Sequence, residues 1–269
     1  MGAAIDTVLA FSTQAAASPF PTALAPTVGD SLTVRNFPLS DSAQTEAILY
    51  SAGGSQKVRL SSPRLHDNVT GITYEPLEDP AAFLVPQDGS VKLASGDTLS
   101  MFGGIAAAGT ITAGLVNYYS NLPGVSARLH MWGDISGIIK SYKTVEVDLG
   151  AIAVGAWTDT LFTATENQLH SASDYAVLGY QASQGLCGVG VKGAFTGNLR
   201  ACGPGPSSTL DITEYFVFMS EANKLPYIPV FNADDRFACY VSAFNRTAVG
   251  AGAAHVYLIL AELSQPVTP

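Results

Sequence analysis

The stretch GDTLSMFGGIAAAGTITAGLVNYY, residues 96–119, decides the interpretation of the chain because a similar stretch returns later. Moved forward by 138 residues, it lies without a gap on DDRFACYVSAFNRTAVGAGAAHVY, residues 234–257. The identical positions are Asp97 with Asp235, Ala113 with Ala251, Gly114 with Gly252 and Tyr119 with Tyr257. A period this long exceeds the roughly 20–50 residues of a solenoid repeat, so it indicates two related domains.

A second block supports a duplication. Residues 30–52 lie without a gap on residues 159–181 when they are moved forward by 129 residues. The identical pairs are Asp30 with Asp159, Leu32 with Leu161, Ser42 with Ser171, Ala43 with Ala172, Ala47 with Ala176 and Leu49 with Leu178. The two blocks keep their order along the chain. The alternative is that two ordinary β stretches share small residues by chance.

Short runs of strand-forming residues, separated by Gly, Pro, Asp and Ser, fill both copies. The strands predicted in the first copy are 31–37, 45–50, 57–60, 69–74, 82–85, 91–93, 98–102 and 110–118. Those predicted in the second copy are 160–163, 175–180, 188–192, 210–219, 227–231, 237–243 and 255–261. Because no helices alternate with these strands, the pattern predicts an all-β fold of two tandem jelly-roll or β-sandwich domains.

Helical patterns occur outside these strands. Residues 3–17 predict a short helix with Ile5, Val8, Leu9 and Phe11 partly on one side. It belongs to an arm that is expected to reach a neighbouring subunit. Asp134 is the expected N-cap of a connecting helix whose apolar stripe runs from Ile135 to Tyr142, and an alternating strand follows at 144–149. Residues 202–208, rich in Gly and Pro, predict an exposed loop.

The expected organisation has five parts. They are an N-terminal arm (1–28), a first jelly-roll-like domain (29–128), a connecting segment with the short helix (129–155), a second jelly-roll-like domain (156–263) and a tail (264–269).

The composition favours a protein that associates with other subunits. Only 13% of the residues are charged and 47% are hydrophobic, so an isolated chain is expected to expose apolar surface. The net charge of −9 and the scattered basic residues argue against nucleic-acid binding. No apolar run reaches the roughly twenty residues of a membrane helix, and no basic segment starts a secretory signal. We therefore expect an unprocessed protein made inside the cell.

The residues that usually carry chemistry are dispersed. The histidines His66, His130, His170 and His255 lack metal-ligand spacing, and the run from Asn232 to Asp235 fits a solvated turn better than a calcium loop. No nucleotide-binding or nucleophile motif occurs. The sequence therefore predicts no catalytic residue, no cofactor and no metal site, and a protein that is not an enzyme.

Three further patterns favour structural roles. The cysteines Cys187, Cys202 and Cys239 form neither a disulfide framework nor a zinc site; a bridge between the first two stays open, and buried thiols are the favoured reading. The glycosylation triplets at 68–70 and 245–247 are attributed to chance. Trp132 and Trp157 do not belong to a grouped sugar-stacking platform, so we expect them to pack in the core or in an interface.

The layout of residues 30–119 and 159–261 resembles the double-jelly-roll major capsid proteins of tailless icosahedral viruses, the lineage of tectiviruses, corticoviruses and adenovirus hexons. The matching blocks are Asp30-Ser31-Leu32 with Asp159-Thr160-Leu161, and Ala113-Gly114 with Ala251-Gly252. The resemblance implies upright barrels, a homotrimer of pseudo-sixfold outline and a lattice of such trimers in a virion made in the host cytoplasm. It also implies contacts with minor capsid or vertex proteins, and leaves an internal membrane open. Deletion of the N-terminal arm (1–28) is then expected to leave folded trimers that fail to build a shell.

Two other classes of protein are considered. A virion spike, fibre or carbohydrate-binding β-sandwich module that binds a receptor would have a similar layout, and would need aromatic side chains clustered on one loop face. A two-domain cupin enzyme would need a clustered His and Glu metal set, which the dispersed histidines do not supply.

Overall fold

The structure is a computed structural model. It describes residues 2–23, 25–26, 43–48, 56–61, 72–74, 100–105, 108–122, 128–153, 155–162, 169–170, 172–183, 185–205, 212–232, 239–245 and 254–267. The strands predicted at 31–37, 82–85 and 91–93 lie outside these residues.

The first half of the chain contributes eight strands to the described structure. They are β1 (Gly2–Gln14), β2 (Ser18–Ala23), β3 (Ala25–Pro26), β4 (Ala43–Ile48), β5 (Gln56–Ser61), β6 (Ile72–Tyr74), β7 (Ser100–Ile105) and β8 (Gly109–Leu122). All of their pairings are antiparallel. One sheet, called the β1 sheet, has the order β3-β1-β8-β4, and the other, the β2 sheet, has the order β2-β7-β5-β6.

The second half adds nine strands and two short α-helices. They are β9 (Leu129–His130), α1 (Trp132–Ile135), β10 (Ile139–Asp148), β11 (Trp157–Leu161), β12 (Asp174–Ala182), β13 (Leu186–Lys192), β14 (Arg200–Pro204), α2 (Tyr215–Asn223), β15 (Ile228–Asn232), β16 (Tyr240–Asn245) and β17 (His255–Leu263). Two 3₁₀ turns cover Ser136–Ile138 and Ala194–Thr196. The β10 sheet has the order β10-β17-β12-β15-β9, and the β11 sheet has the order β11-β16-β13-β14.

The chain is mostly β, and its sheets are consistent with the predicted all-β sandwich class. The two halves also share a strand order. The corresponding strands, in chain order, are β1, β2, β4, β5, β6, β7 and β8 in the first half and β10, β11, β12, β13, β14, β16 and β17 in the second. With this correspondence, the β2 sheet has the same order as the β11 sheet, and β1-β8-β4 has the same order as β10-β17-β12. The repeat therefore matched β4 with β12, β7 with β16 and β8 with β17, as the strand order does. It set β11 against residues 30–32, whereas β11 takes the place of β2 in the strand order.

The residue-by-residue alignment of the repeat is wrong at the last strand. Tyr119 was matched to Tyr257, but Tyr119 pairs with Ala4, whose side of the strand faces away from the second half. Tyr257 pairs with Glu146, opposite the side that carries the core residue Val145. Side chains alternate between the faces of a strand, so the structural alignment of this strand differs from the 138-residue alignment by an odd number of residues.

The helix predicted at residues 3–17 is wrong, because residues 2–14 are strand β1. β1 lies between β3 and β8, inside the β1 sheet rather than in an arm ahead of it. Its residues from Ala4 to Ala10 are all buried, so both faces are covered and the sequence has no polar alternation. Without that alternation, the spacing of Ile5, Val8 and Leu9 imitates the apolar side of a helix. The residue limits of the domains stay predictions.

The helix predicted from Asp134 is wrong in its position and length. α1 begins at Trp132 without a side-chain cap, and the chain becomes strand β10 at Ile139, where the apolar stripe was expected to continue. The alternating strand at 144–149 is confirmed within β10, since Val145 and Val147 are buried and Glu146 is exposed.

The strand predicted at 210–219 is wrong, because residues 215–223 form α2. Aromatic and β-branched residues favour strands locally, but packing decides this segment. The Phe216 ring contacts Tyr180 edge-on at 6.2 Å between ring centroids, and the Tyr215 ring lies beside Gly203 on β14. The exposed loop predicted at 202–208 is wrong over Cys202 to Pro204, which are buried in β14, and 206–208 lie outside the described residues.

The remaining predicted strands are confirmed with small shifts of their ends. β4, β5, β6, β7 and β8 coincide with predictions in the first copy, and β11, β12, β13, β15, β16 and β17 coincide with predictions in the second. Among the described residues no helix is long and apolar enough to span a membrane.

We predict that deletion of residues 1–28 prevents the first half from folding, because it removes β1, β2 and β3 and leaves β8 without its long buried partner strand. Circular dichroism and urea unfolding of the truncated chain, with the full chain as reference, measure this. A truncated chain with the full chain's β signal and a cooperative transition would contradict the structural role of β1.

Candidate functional site

Within the described residues, one face of the β1 sheet packs against the second half, mainly through β1 against β14. We call the side chains of Ile5, Thr7, Leu9, Val116 and Tyr118 the β1–β8 face, since Ile5 pairs with Tyr118 and Thr7 pairs with Val116 across the two strands. Its apolar members belong to the same buried cluster as the core of the second half. The β1–β8 face therefore closes the core of the second half.

Thr7 is at the centre of this contact. Its Oγ1 donates a hydrogen bond to the Cys202 carbonyl oxygen at 2.7 Å and accepts one from the Cys202 backbone N–H at 3.1 Å. Cys202 is the middle residue of β14, the last strand of the β11 sheet. A sheet edge presents backbone groups that require partners, and Thr7 supplies both a donor and an acceptor.

Apolar contacts flank this hydrogen-bonded pair. The Tyr118 and Tyr227 rings stack with 6.3 Å between their centroids. A side-chain carbon at Gly188 would lie 2.9 Å from the Leu9 side chain and 3.1 Å from the Trp157 ring, so Gly188 leaves the space in which Leu9 packs against β13. These contacts place β14 and Tyr227 of the second half against the first half.

The four histidines do not meet. His130 is buried in β9, and burial, followed by the Arg128 charge, lowers its pKa. The His170 ring contacts the Glu262 carboxylate, His255 contacts Glu146, and His66 lies outside the described residues. Within the part of the chain that is described, no three His, Cys, Asp or Glu side chains form a metal-binding group.

The remaining candidates from the sequence are the turn at Asn232, the two glycosylation triplets and the three cysteines. The Asn232 side chain donates to the Asp174 carboxylate at 2.8 Å, while residues 233–235 lie outside the described residues. Asn245 is fully buried in β16, and the triplet at 68–70 lies outside the described residues. The three cysteines are buried free thiols, which answers the question of a bridge between Cys187 and Cys202.

Glu262 is a buried carboxylate at the end of β17. It accepts hydrogen bonds from Lys140 Nζ and His170 Nδ1 at 2.8 Å, and from the hydroxyls of Ser141 and Ser173 at 2.9 Å. Burial favours the neutral acid, but these four hydrogen bonds outweigh it, so the pKa of Glu262 lies far below its usual value. The cluster joins β10, His170 and Ser173 to β17.

A second polar cluster lies across the β11 sheet. The Asp159 carboxylate accepts hydrogen bonds from Ser242 at 2.7 Å, from Arg200 Nη2 at 2.9 Å and from Lys192 at 3.0 Å. Burial raises the pKa of Asp159, but the hydrogen bonds outweigh it and the net pKa is lowered. The Arg200 guanidinium also lies over the Trp157 ring, 4.9 Å from its centroid. All four strands of this sheet are tied together.

A third cluster holds the end of the chain. Asp174 on β12 forms a salt bridge with Arg128 and accepts a hydrogen bond from the Val267 N–H at 3.0 Å. Arg128 also donates to the Val267 carbonyl at 2.7 Å. The segment after β17 is therefore fastened to β12.

Sequence reasoning missed Thr7, Glu262, Asp159 and Asp174. Glu262 had a usable signal, because it continues the alternation of Val256, Leu258 and Leu260 on the buried side of β17. A carboxylate at a buried position requires hydrogen-bonding partners. Thr7 had no such signal, since its partner is almost two hundred residues away.

Comparison of the chain with models of protein families, with curated proteins and with solved structures finds no match.

We predict that Thr7→Val lowers the free energy of unfolding by about 1–3 kcal/mol, because valine keeps the shape but removes both hydrogen bonds to Cys202. Thr7→Ser is the matched control, since it keeps the hydroxyl group. Urea unfolding of the three proteins measures the difference. Equal losses in the valine and serine variants would show that the hydrogen bonds contribute nothing.

We predict that Glu262→Gln lowers the free energy of unfolding at pH 7 by about 1.5–3 kcal/mol, the range for hydrogen bonds to a charged group. A carboxyl whose folded pKa is depressed stabilises above its unfolded pKa, near 4.5, and loses this stabilisation as the pH falls. The gap between wild type and variant should therefore narrow at pH 3. Glu221→Gln, on the exposed side of α2, is the control, and a gap that persists unchanged at pH 3 would contradict the assignment.

Proposed function

We propose that the chain is a structural virion protein, a major capsid protein built from two jelly rolls that assembles as a pseudo-hexameric trimer into an icosahedral shell. The observation that carries the proposal is the strand order shared by the two halves.

The strand order of the second half supports the jelly-roll assignment. A jelly roll has eight strands in two four-stranded sheets, and in its chain order the sheets run 1-8-3-6 and 2-7-4-5. Numbering β10 to β17 from one to eight gives β10-β17-β12-β15 and β11-β16-β13-β14, which follow these two orders. In the first half, β1, β8 and β4 take the places 1-8-3 and the β2 sheet takes 2-7-4-5, while β3, which pairs with β1, has no place in this order.

The packing of the two halves supports an assembly role. Two similar bodies lie against each other through the β1–β8 face within one chain. Three such chains around a threefold axis present six similar bodies, which gives a ring of six related contacts from one gene product. Such a unit tiles a hexagonal lattice without a second protein.

The surface composition fits the same role. With 13% charged residues the chain has few groups to solvate its surface. Large exposed apolar side chains remain in the described part of the chain, among them Tyr142 and Phe218, which are 65% and 50% exposed. Interfaces between permanent subunits are larger and more apolar than ordinary surface, so assembly would cover such side chains.

The proposal predicts a particle of about three chain masses, each chain being 27.9 kDa. Light scattering of the purified protein measures the mass, and negative-stain imaging shows the outline. Trimers with a hexagonal outline, sheets or closed shells support the proposal. A monomer at all concentrations contradicts it, and a monomer that binds glycans on an array would assign the chain to receptor-binding modules instead.

A further inference from the structure

Strands β1 and β10 occupy corresponding positions in the two halves. Each is the neighbour of the last strand of its half, and each pairing has a shift of register between the first and third residues of the strand, at Gly2/Ala4 and at Ile139/Ser141. When Gly2 is aligned with Ile139, Val8 falls on Val145. Val145 faces the core of the second half.

The same alignment places Ile5 on Tyr142 and Thr7 on Thr144. Across the sheet, Thr144 pairs with Ile259 as Thr7 pairs with Val116. We call the side chains of Tyr142, Thr144, Glu146, Tyr257 and Ile259 the β10–β17 face. It is the counterpart, in the second half, of the face that the first half uses to close the second.

The two faces differ in what covers them. Thr7 is 1% exposed and bound to Cys202, whereas Thr144 is exposed and the neighbouring Tyr142 is 65% exposed. Tyr257 and Ile259 are half-buried. The Tyr257 hydroxyl donates a hydrogen bond to the Glu146 carboxylate at 3.2 Å, and both side chains belong to the β10–β17 face.

We infer that the β10–β17 face docks on the first half of a second copy of this chain, at the edge formed by β6, in the way that the β1–β8 face docks on β14. This inference rests on the proposed trimer and assigns the surface through which its chains contact each other. The middle residue of β6, Thr73, corresponds to Cys202, the middle residue of β14.

The receiving edge has the required position. β6 is the last strand of the β2 sheet, as β14 is the last strand of the β11 sheet, and among the described residues β6 pairs with β5 alone. A short edge strand is a site that another chain can cover.

The placement of the two surfaces is compatible with a closed ring of chains. The docking surface and the receiving edge lie on different halves, so each chain contributes one of each and the contact is head to tail. A head-to-tail contact closes when the rotation between neighbours divides the circle evenly, and three chains with two halves each repeat one type of contact six times.

The test introduces a charge into the β10–β17 face. Tyr142→Arg and Thr144→Arg each replace an exposed side chain, so the fold of the single chain should persist, as circular dichroism and urea unfolding will show. Light scattering over a dilution series should show the trimer dissociating at a concentration roughly tenfold or more above that of the wild type, because each variant places an unpaired charge in the contact. Leu161→Arg is the matched control, an exposed apolar residue on the β11 sheet, and should dissociate like the wild type.

A cross-link then identifies the receiving edge. Thr144→Cys combined with Thr73→Cys should form a disulfide between chains on mild oxidation, visible as covalent dimers and trimers on a non-reducing gel. Leu161→Cys with Thr73→Cys is the control, and the buried native thiols Cys187, Cys202 and Cys239 are shielded from the reaction.

The outcomes separate the inference from the proposed function. A monomeric wild type overturns both. A trimeric wild type whose Tyr142→Arg and Thr144→Arg variants dissociate at the wild-type concentration overturns the inference and leaves the capsid proposal standing. Cross-links in the control pair but not in the Thr144 pair overturn the assigned edge.

Discussion

The burial of β1 on both of its faces is the constraint on which the rest of the structure depends. One face of this strand is turned away from the second half, and the other, with Ile5, Thr7 and Leu9, completes the core of the second half. Burial of apolar area contributes in proportion to the area removed from water, so a strand covered on both sides stabilises two bodies at once. The two halves are therefore expected to fold together, even though each has its own set of sheets with a matching strand order.

The strand pattern and the all-β class could be predicted from the sequence because they are local properties. β12, β13 and β17 are continuous apolar runs, and β10 alternates between buried valines and exposed charges. The environments of β1 and α2 could not be predicted in this way. Both are apolar segments whose conformation depends on partners far away in the sequence, and local spacing cannot distinguish a doubly buried strand from a helix.

The candidate site was less predictable than the fold, because its key contacts join distant residues through single polar side chains. Thr7 forms hydrogen bonds with Cys202, Glu262 accepts hydrogen bonds from β10, His170 and Ser173, and Asp159 joins four strands. A buried carboxylate with several hydrogen bonds tolerates few rearrangements, since every alternative packing leaves it without partners. These clusters therefore select one register for the sheets, where apolar packing alone would accept several.

The two corresponding faces differ in chemistry in a way that fits the contacts proposed for them. The β1–β8 face carries Ile5, Leu9 and Tyr118, and its contact forms once, as the chain folds. The β10–β17 face places Tyr142, Thr144 and Glu146 at the same positions, so it is amphipathic and stays hydrated in a single chain. A more polar contact is weaker and reversible, and reversible contacts allow misplaced subunits to leave a growing lattice. In the proposed assembly, two related sandwiches thus supply a permanent contact within the chain and a correctable contact between chains.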